Sequence, residues 1–150
     1  MLRSLVVTPF ALALGLLLAK GDAIASAGQA STCPAECDAC TDGTCRIACA
    51  PGSSCARQIV SCPSGMDCEV TCTGDAACAS ATIVGPIGRA LEVECSGVSS
   101  CSEIVLNASR DLELSCEGDA ACSSATLYCG SGTCDWACAT AGSCEGVAIE

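Results

Sequence analysis

LEVECSGVSSC, Leu91 to Cys101, returns as LELSCEGDAAC, Leu112 to Cys122, with an apolar residue at the first and third positions and cysteine at the fifth and eleventh. The same C-x5-C pair occurs at Cys49/Cys55, Cys72/Cys78, Cys95/Cys101, Cys116/Cys122 and Cys138/Cys144. Its first members stand 23, 23, 21 and 22 residues apart. Cutting four residues before each pair divides the chain into segments 45–67, 68–90, 91–111, 112–133 and 134–150. Five matches in succession at one period mark a repeat array, whose units bury their inner faces only by stacking.

Within each unit the alternation is that of strands. The first strand places Cys45/Ile47/Cys49, Cys68/Val70/Cys72, Leu91/Val93/Cys95, Leu112/Leu114/Cys116 and Cys134/Trp136/Cys138 on one side. Arg46, Glu69, Glu92, Glu113 and Asp135 lie on the other. A second strand turns Val60/Cys62, Ile83/Gly85, Leu106/Ala108, Leu127/Cys129 and Ile149 inward. Between the two lie small residues and a glycine (Gly52, Gly74, Gly97, Gly118, Gly142), which suit sharp corners. The fold class expected is all-β: a short parallel β-solenoid of about five coils, right-handed as parallel crossovers usually are. Residues 28–44 form a cysteine-rich cap or partial coil. Over residues 45–150 the pattern resembles known parallel β-helix proteins in architecture, without any of their functional motifs.

The chain opens on Met1-Leu2-Arg3, continues through the apolar run Leu5 to Ala19, and reaches the small-residue site Ala25-Ser26-Ala27. This reads as a signal peptide over 1–27, cleaved before Gly28. The apolar run is broken by Pro9 and falls short of the roughly 20 residues that a spanning helix needs, and Cys33 lacks the neighbours of a lipoprotein site. The expected location is therefore secreted or cell-surface, and periplasmic in a Gram-negative host. The remaining chain holds all 18 cysteines. Without Arg3, Lys20 and Asp22 it keeps four arginines and 16 acidic residues, a net charge of −12, and the protein has no histidine. So negative a surface disfavours nucleic acid and anionic lipid as partners.

Eighteen cysteines in an exported chain imply nine disulfides. A metallothionein-like cluster would favour Cys-x-Cys pairs, of which there are none. The C-x5-C partners recur in every unit, giving Cys49–Cys55, Cys72–Cys78, Cys95–Cys101, Cys116–Cys122 and Cys138–Cys144. Cys62 occurs with Cys68 and Cys129 with Cys134, while Gly85/Leu91 and Ala108/Leu112 lack both, which predicts Cys62–Cys68 and Cys129–Cys134. Cys33, Cys40 and Cys45 repeat the spacing of Cys122, Cys129 and Cys134, suggesting Cys40–Cys45 and, by elimination, Cys33–Cys37.

Thr71-Cys72-Thr73-Gly74-Asp75-Ala76-Ala77-Cys78 resembles the T-C-T-x-S-x-x-C unit of the disulfide-bridged beetle antifreeze solenoids. In that family stacked Thr-x-Thr pairs form an ice-binding face. Here the equivalent flanks are Ala48/Ala50, Glu94/Ser96, Ser115/Glu117 and Ala137/Ala139, Asp75 replaces the serine, and the period is nearly double. The resemblance implies a shared way of supporting a thin core, with ice binding a minor alternative.

Enzyme chemistry finds few reagents. The serine corners Ser53/Ser54, Ser99/Ser100 and Ser123/Ser124 have no histidine to serve as base. Cys37-x-x-Cys40 lacks the βαβ setting of a redox pair. Pectate-lyase-like β-helix enzymes use acid and Arg/Lys constellations that are absent here. No catalytic residue, resident metal or cofactor is expected. The column Glu69, Glu92, Glu113 and Asp135 is the best candidate site, a ladder suited to weak calcium binding. Asn107-Ala108-Ser109 is an N-glycosylation sequon. The expected function is a secreted non-catalytic structural or surface-interaction module, its partner an unknown protein or surface glycan. The first alternative is an effector or inhibitor using the atypical segment Gly85 to Ala90 (GPIGRA); a small carbohydrate-active β-helix ranks below it.

Overall fold

The computed structural model describes residues 33–150. The signal-peptide reading and its cleavage site lie outside the described residues. Two columns of strands stack along the array, with β1 (Ala39–Thr41), β2 (Thr44–Cys49), β4 (Asp67–Thr73), β6 (Leu91–Ser96), β8 (Leu112–Glu117) and β10 (Cys134–Cys138) in the first sheet. The second sheet holds β3 (Ile59–Ser61), β5 (Thr82–Val84), β7 (Val105–Asn107), β9 (Thr126–Tyr128) and β11 (Ala148–Ile149). Every pairing from β2 onward is parallel, between strands one coil apart in sequence. The protein is thus a disulfide-stapled β-solenoid of about five turns. Among the described residues there is no helix, and so none long and apolar enough to cross a membrane.

The register is set by like residues stacking on like. Cys45 stands on Cys68, then Leu91, Leu112 and Cys134; Ile47 stands on Val70, Val93, Leu114 and Trp136. A slip of one residue would turn each of these columns to water. In the second sheet Val60, Ile83, Leu106, Leu127 and Ile149 stack in the same way. The two sets of inward side chains meet in a single narrow core.

The glycine corners have a steric cause. At Gly97 (φ 127°) an added Cβ would lie 2.7 Å from the Gly74 carbonyl carbon, and at Gly118 (φ 123°) 2.6 Å from the Gly97 oxygen. Each corner nests on the backbone of the one before it. The last coil departs from the column: Thr140 rather than Gly142 stacks here, its hydroxyl donating to the Gly118 carbonyl at 3.2 Å.

All eighteen cysteines are bonded, and every bond closes a short local loop. The five C-x5-C pairs bridge their own corners, and Cys62–Cys68 and Cys129–Cys134 join the end of one coil to the start of the next. In the two middle coils Leu91 and Leu112 fill the place of that second bridge. Gly85 makes room for Leu91, since a Cβ there would touch its Cβ and Cδ2 at 3.2 Å.

The cap differs from expectation. Cys33 bonds Cys40 and Cys37 bonds Cys45, so the expected Cys40–Cys45 and Cys33–Cys37 pairs are corrected. The physical reason is a chain reversal. Asp42 (φ 52°) and Gly43 (φ 85°) form a two-residue hairpin turn, and β1 runs antiparallel to β2. Residues 33–45 are therefore not a shortened coil, and the spacing of Cys122, Cys129 and Cys134 does not transfer to them. The hairpin covers the free edge of β2, and the Asp38 carboxylate accepts a further bond from the Ala48 N–H at 2.7 Å.

Candidate functional site

The outward positions of the first sheet are dictated by the inward ones, because strand side chains alternate. The first outward column runs Arg46, Glu69, Glu92, Glu113, Asp135, each directly opposite the next. All four acidic residues of the expected ladder are brought together. A second column runs Ala48, Thr71, Glu94, Ser115, Ala137, and a third contains Thr73, Ser96 and Glu117. One sheet face thus gathers six carboxylates within four neighbouring strands.

Positive charge reaches this face at one end. Arg46 Nη2 meets Glu69 Oε2 at 2.9 Å, which neutralises the first carboxylate and leaves Glu92, Glu113 and Asp135 without a basic partner among the described residues. Glu92 sits in the middle. Partial burial, then Glu113, Glu69 and Glu94 in that order, push its pKa above the ordinary carboxylate value, against a smaller opposing pull from Arg46. Two shallow hollows mark the face. One, of about 220 Å³, lies among Thr71, Thr73, Glu94, Ser96, Ser115 and Glu117. The other, of about 130 Å³, is bordered by Glu92, Glu113 and Asp135 together with Asp111 and Thr133. Both are open and carry carboxylate and hydroxyl oxygens, with Ala90, Leu91 and Leu112 also lining the second, so they offer a cation several ligands without a closed cage.

Three further acids have structural work that spacing alone does not reveal. Asp67 Oδ1 accepts the Ala90 N–H at 3.1 Å, Asp75 Oδ1 the Val98 N–H at 3.1 Å, and Asp111 Oδ1 the Thr133 N–H at 3.0 Å. Each ties one coil to the next at a loop where strand pairing stops. Asp67 and Asp111 both immediately precede an inward strand residue, Cys68 or Leu112, and that shared offset is the signal that could have found them.

The remaining candidates are dispersed. Ser54 donates to the Ala77 carbonyl, Ser99 and Ser124 occupy positive-φ turns, and Ser100 is buried. Cys37 and Cys40 belong to different disulfides. The three tight cysteine clusters among the described residues consist of disulfide sulfurs and offer no thiolate. Asn107 faces outward on β7 between Val84 and Tyr128. Ser109 of its sequon donates to the Pro86 carbonyl at 2.7 Å and accepts the Gly88 N–H at 2.9 Å, clasping the 85–90 loop.

No protein-family model, curated protein or solved structure matches the chain, so its functional reading rests on its own residues and geometry.

Proposed function

We propose that the protein is a secreted, non-catalytic interaction module whose flat acidic face engages a basic surface patch on a partner protein. The observation that supports this is the in-register column Glu69, Glu92, Glu113 and Asp135. Stacked carboxylates about 4.8 Å apart repel one another, and a partner's cations would relieve that repulsion. The disulfide frame holds the charges in place beforehand, so little ordering is lost on contact. Nine disulfides suit the oxidising surroundings outside the cell. A chain without histidine, whose serines therefore have no imidazole to serve as base, is poorly equipped for acid–base or nucleophilic chemistry.

The test is binding of the disulfide-intact protein to an immobilised arginine-rich peptide at low and physiological salt. Glu92→Gln with Glu113→Gln should weaken binding several-fold and flatten its salt dependence. Asp119→Asn with Glu145→Gln removes the same charge away from the sheet face and should change it little. Equal losses from the two double variants would reduce the face to bulk charge.

The second reading, an effector or inhibitor acting through residues 85–90, is favoured by one feature. Ile87 is 81% exposed beside exposed Arg89, on a loop fixed by buried Pro86, the Ser109 clasp and the Asp67 bond. Deleting this loop would abolish partner binding on that reading and spare it on the first.

A further inference from the structure

The two ends of the solenoid are unlike. At the start, the hairpin strand β1 lies over β2, and Ile47, the first member of its inward column, is 8% exposed. At the other end no strand among the described residues lies beyond β10. Trp136, the last member of the same column, is 44% exposed and Ile149 51%, whereas Leu114 and Leu127 one coil earlier are fully buried. Apolar surface and an unpaired strand edge therefore coincide, a combination that invites strand pairing.

The hydrogen bonds show which groups are free. The Leu112 N–H donates to the Thr133 carbonyl and the Ala139 N–H to the Cys116 carbonyl, in a parallel register that pairs Cys134 with Leu112 and Cys138 with Cys116. The bonds to β8 are thus made by residues 133, 135, 137 and 139. The N–H and C=O of Cys134, Trp136 and Cys138 point away along the open edge. Trp136 is the middle residue of this five-residue strand.

We propose that a second copy of the chain covers this end, with β10 pairing antiparallel to its counterpart about a two-fold axis at Trp136. In that register Trp136 forms a mutually hydrogen-bonded pair with its own copy, and Cys134 and Cys138 form two more, using every free group of the strand. The indoles meet between the two cores. Asp135 falls opposite the copy's Ala137, so no carboxylate directly faces another. Head-to-tail stacking has no such edge to use, because β1 occupies it. Antiparallel neighbours present the same face on the same side. The pair would therefore join two acidic faces of roughly 14 Å into one of roughly 34 Å, at about 4.8 Å per strand. The association does not depend on what the acidic face binds.

The chain has one tryptophan, so Trp136 reports directly on the interface. Sedimentation equilibrium of the disulfide-intact protein should give twice the monomer mass at tens of micromolar. Tryptophan emission should shift to the blue over the same concentration range. Ala137→Asp places a carboxylate opposite Asp135 twice over and should raise the dissociation constant at least about tenfold. Ala137→Lys, at the same exposed position, should lower it. A wild type that stays monomeric, a shift of the same sign in both variants, or a species larger than a dimer would overturn the proposal. The first of these would leave the edge to a strand of another protein.

Discussion

Ser100 lies fully buried in the corner column between Ala77 and Ala121, and among the described residues it carries the buried side-chain oxygen that lacks a hydrogen-bond partner. Ser143, its equivalent in the last coil, instead donates to the Thr140 carbonyl at 2.7 Å. An unpaired buried hydroxyl costs stability that a methyl group does not. Ser100→Ala should therefore stabilise the fold by about 1 kcal/mol, read as a raised melting temperature, and a lowered one would contradict the assignment. The corner glycines predict the opposite sign. Gly97→Ala and Gly118→Ala drive a Cβ into backbone at a φ that L residues rarely adopt, and should cost about 2 kcal/mol or more. Gly52→Ala meets nothing within 4 Å and should cost about 1 kcal/mol, from backbone conformation alone. Comparing the three melting curves separates crowding from conformational strain.

At the scale of the element, the acidic column is a strand property, and its central member governs how it responds to pH. Burial and neighbouring carboxylates favour the protonated form of Glu92 in the fold relative to the unfolded chain. Its ionisation therefore costs stability in full above the raised folded pKa. That cost fades as pH falls through this value and is gone below the ordinary 4.5. Glu92→Gln should accordingly be more stable than wild type near pH 7, by about 0.3–1 kcal/mol, and the two should converge as the solution is acidified. A difference independent of pH would assign the effect to packing. Calcium at millimolar concentration should raise the wild-type melting temperature modestly, and Glu92→Gln with Glu113→Gln should abolish that rise. The column was legible in the sequence because an inward alternation fixes the outward residues as well. The cap hairpin was signalled by Asp42-Gly43, but cysteine spacing treats residues 33–45 as another coil and so pairs Cys40 with the wrong partner. The tie from Asp75 joins loops whose geometry no periodicity encodes, whereas Asp67 and Asp111 share a place just before an inward strand residue.

For the whole molecule, stability is divided between a thin apolar core and short covalent loops. The largest inward side chains of the middle coils are Leu, Ile and Val, a small apolar payload to set against the ordering of the described residues. Full reduction should therefore abolish the strand signal in circular dichroism, and retention of most of it would show that the apolar columns suffice alone. The bonding pattern also fixes the corners of the coils that carry the acidic face. The sulfurs of Cys72, Cys78 and Cys101 all lie within 4.8 Å of one another, so a bond between coils is not excluded by distance. Mass-spectrometric mapping of the disulfides in the secreted, non-reduced protein is the most direct test. It should return no free thiol, Cys72–Cys78 and Cys95–Cys101 as separate loops, and Cys33–Cys40 with Cys37–Cys45 in the cap. A Cys78–Cys101 bond, or any other link that replaces one of these short local loops, would contradict the staples from which the fold is built.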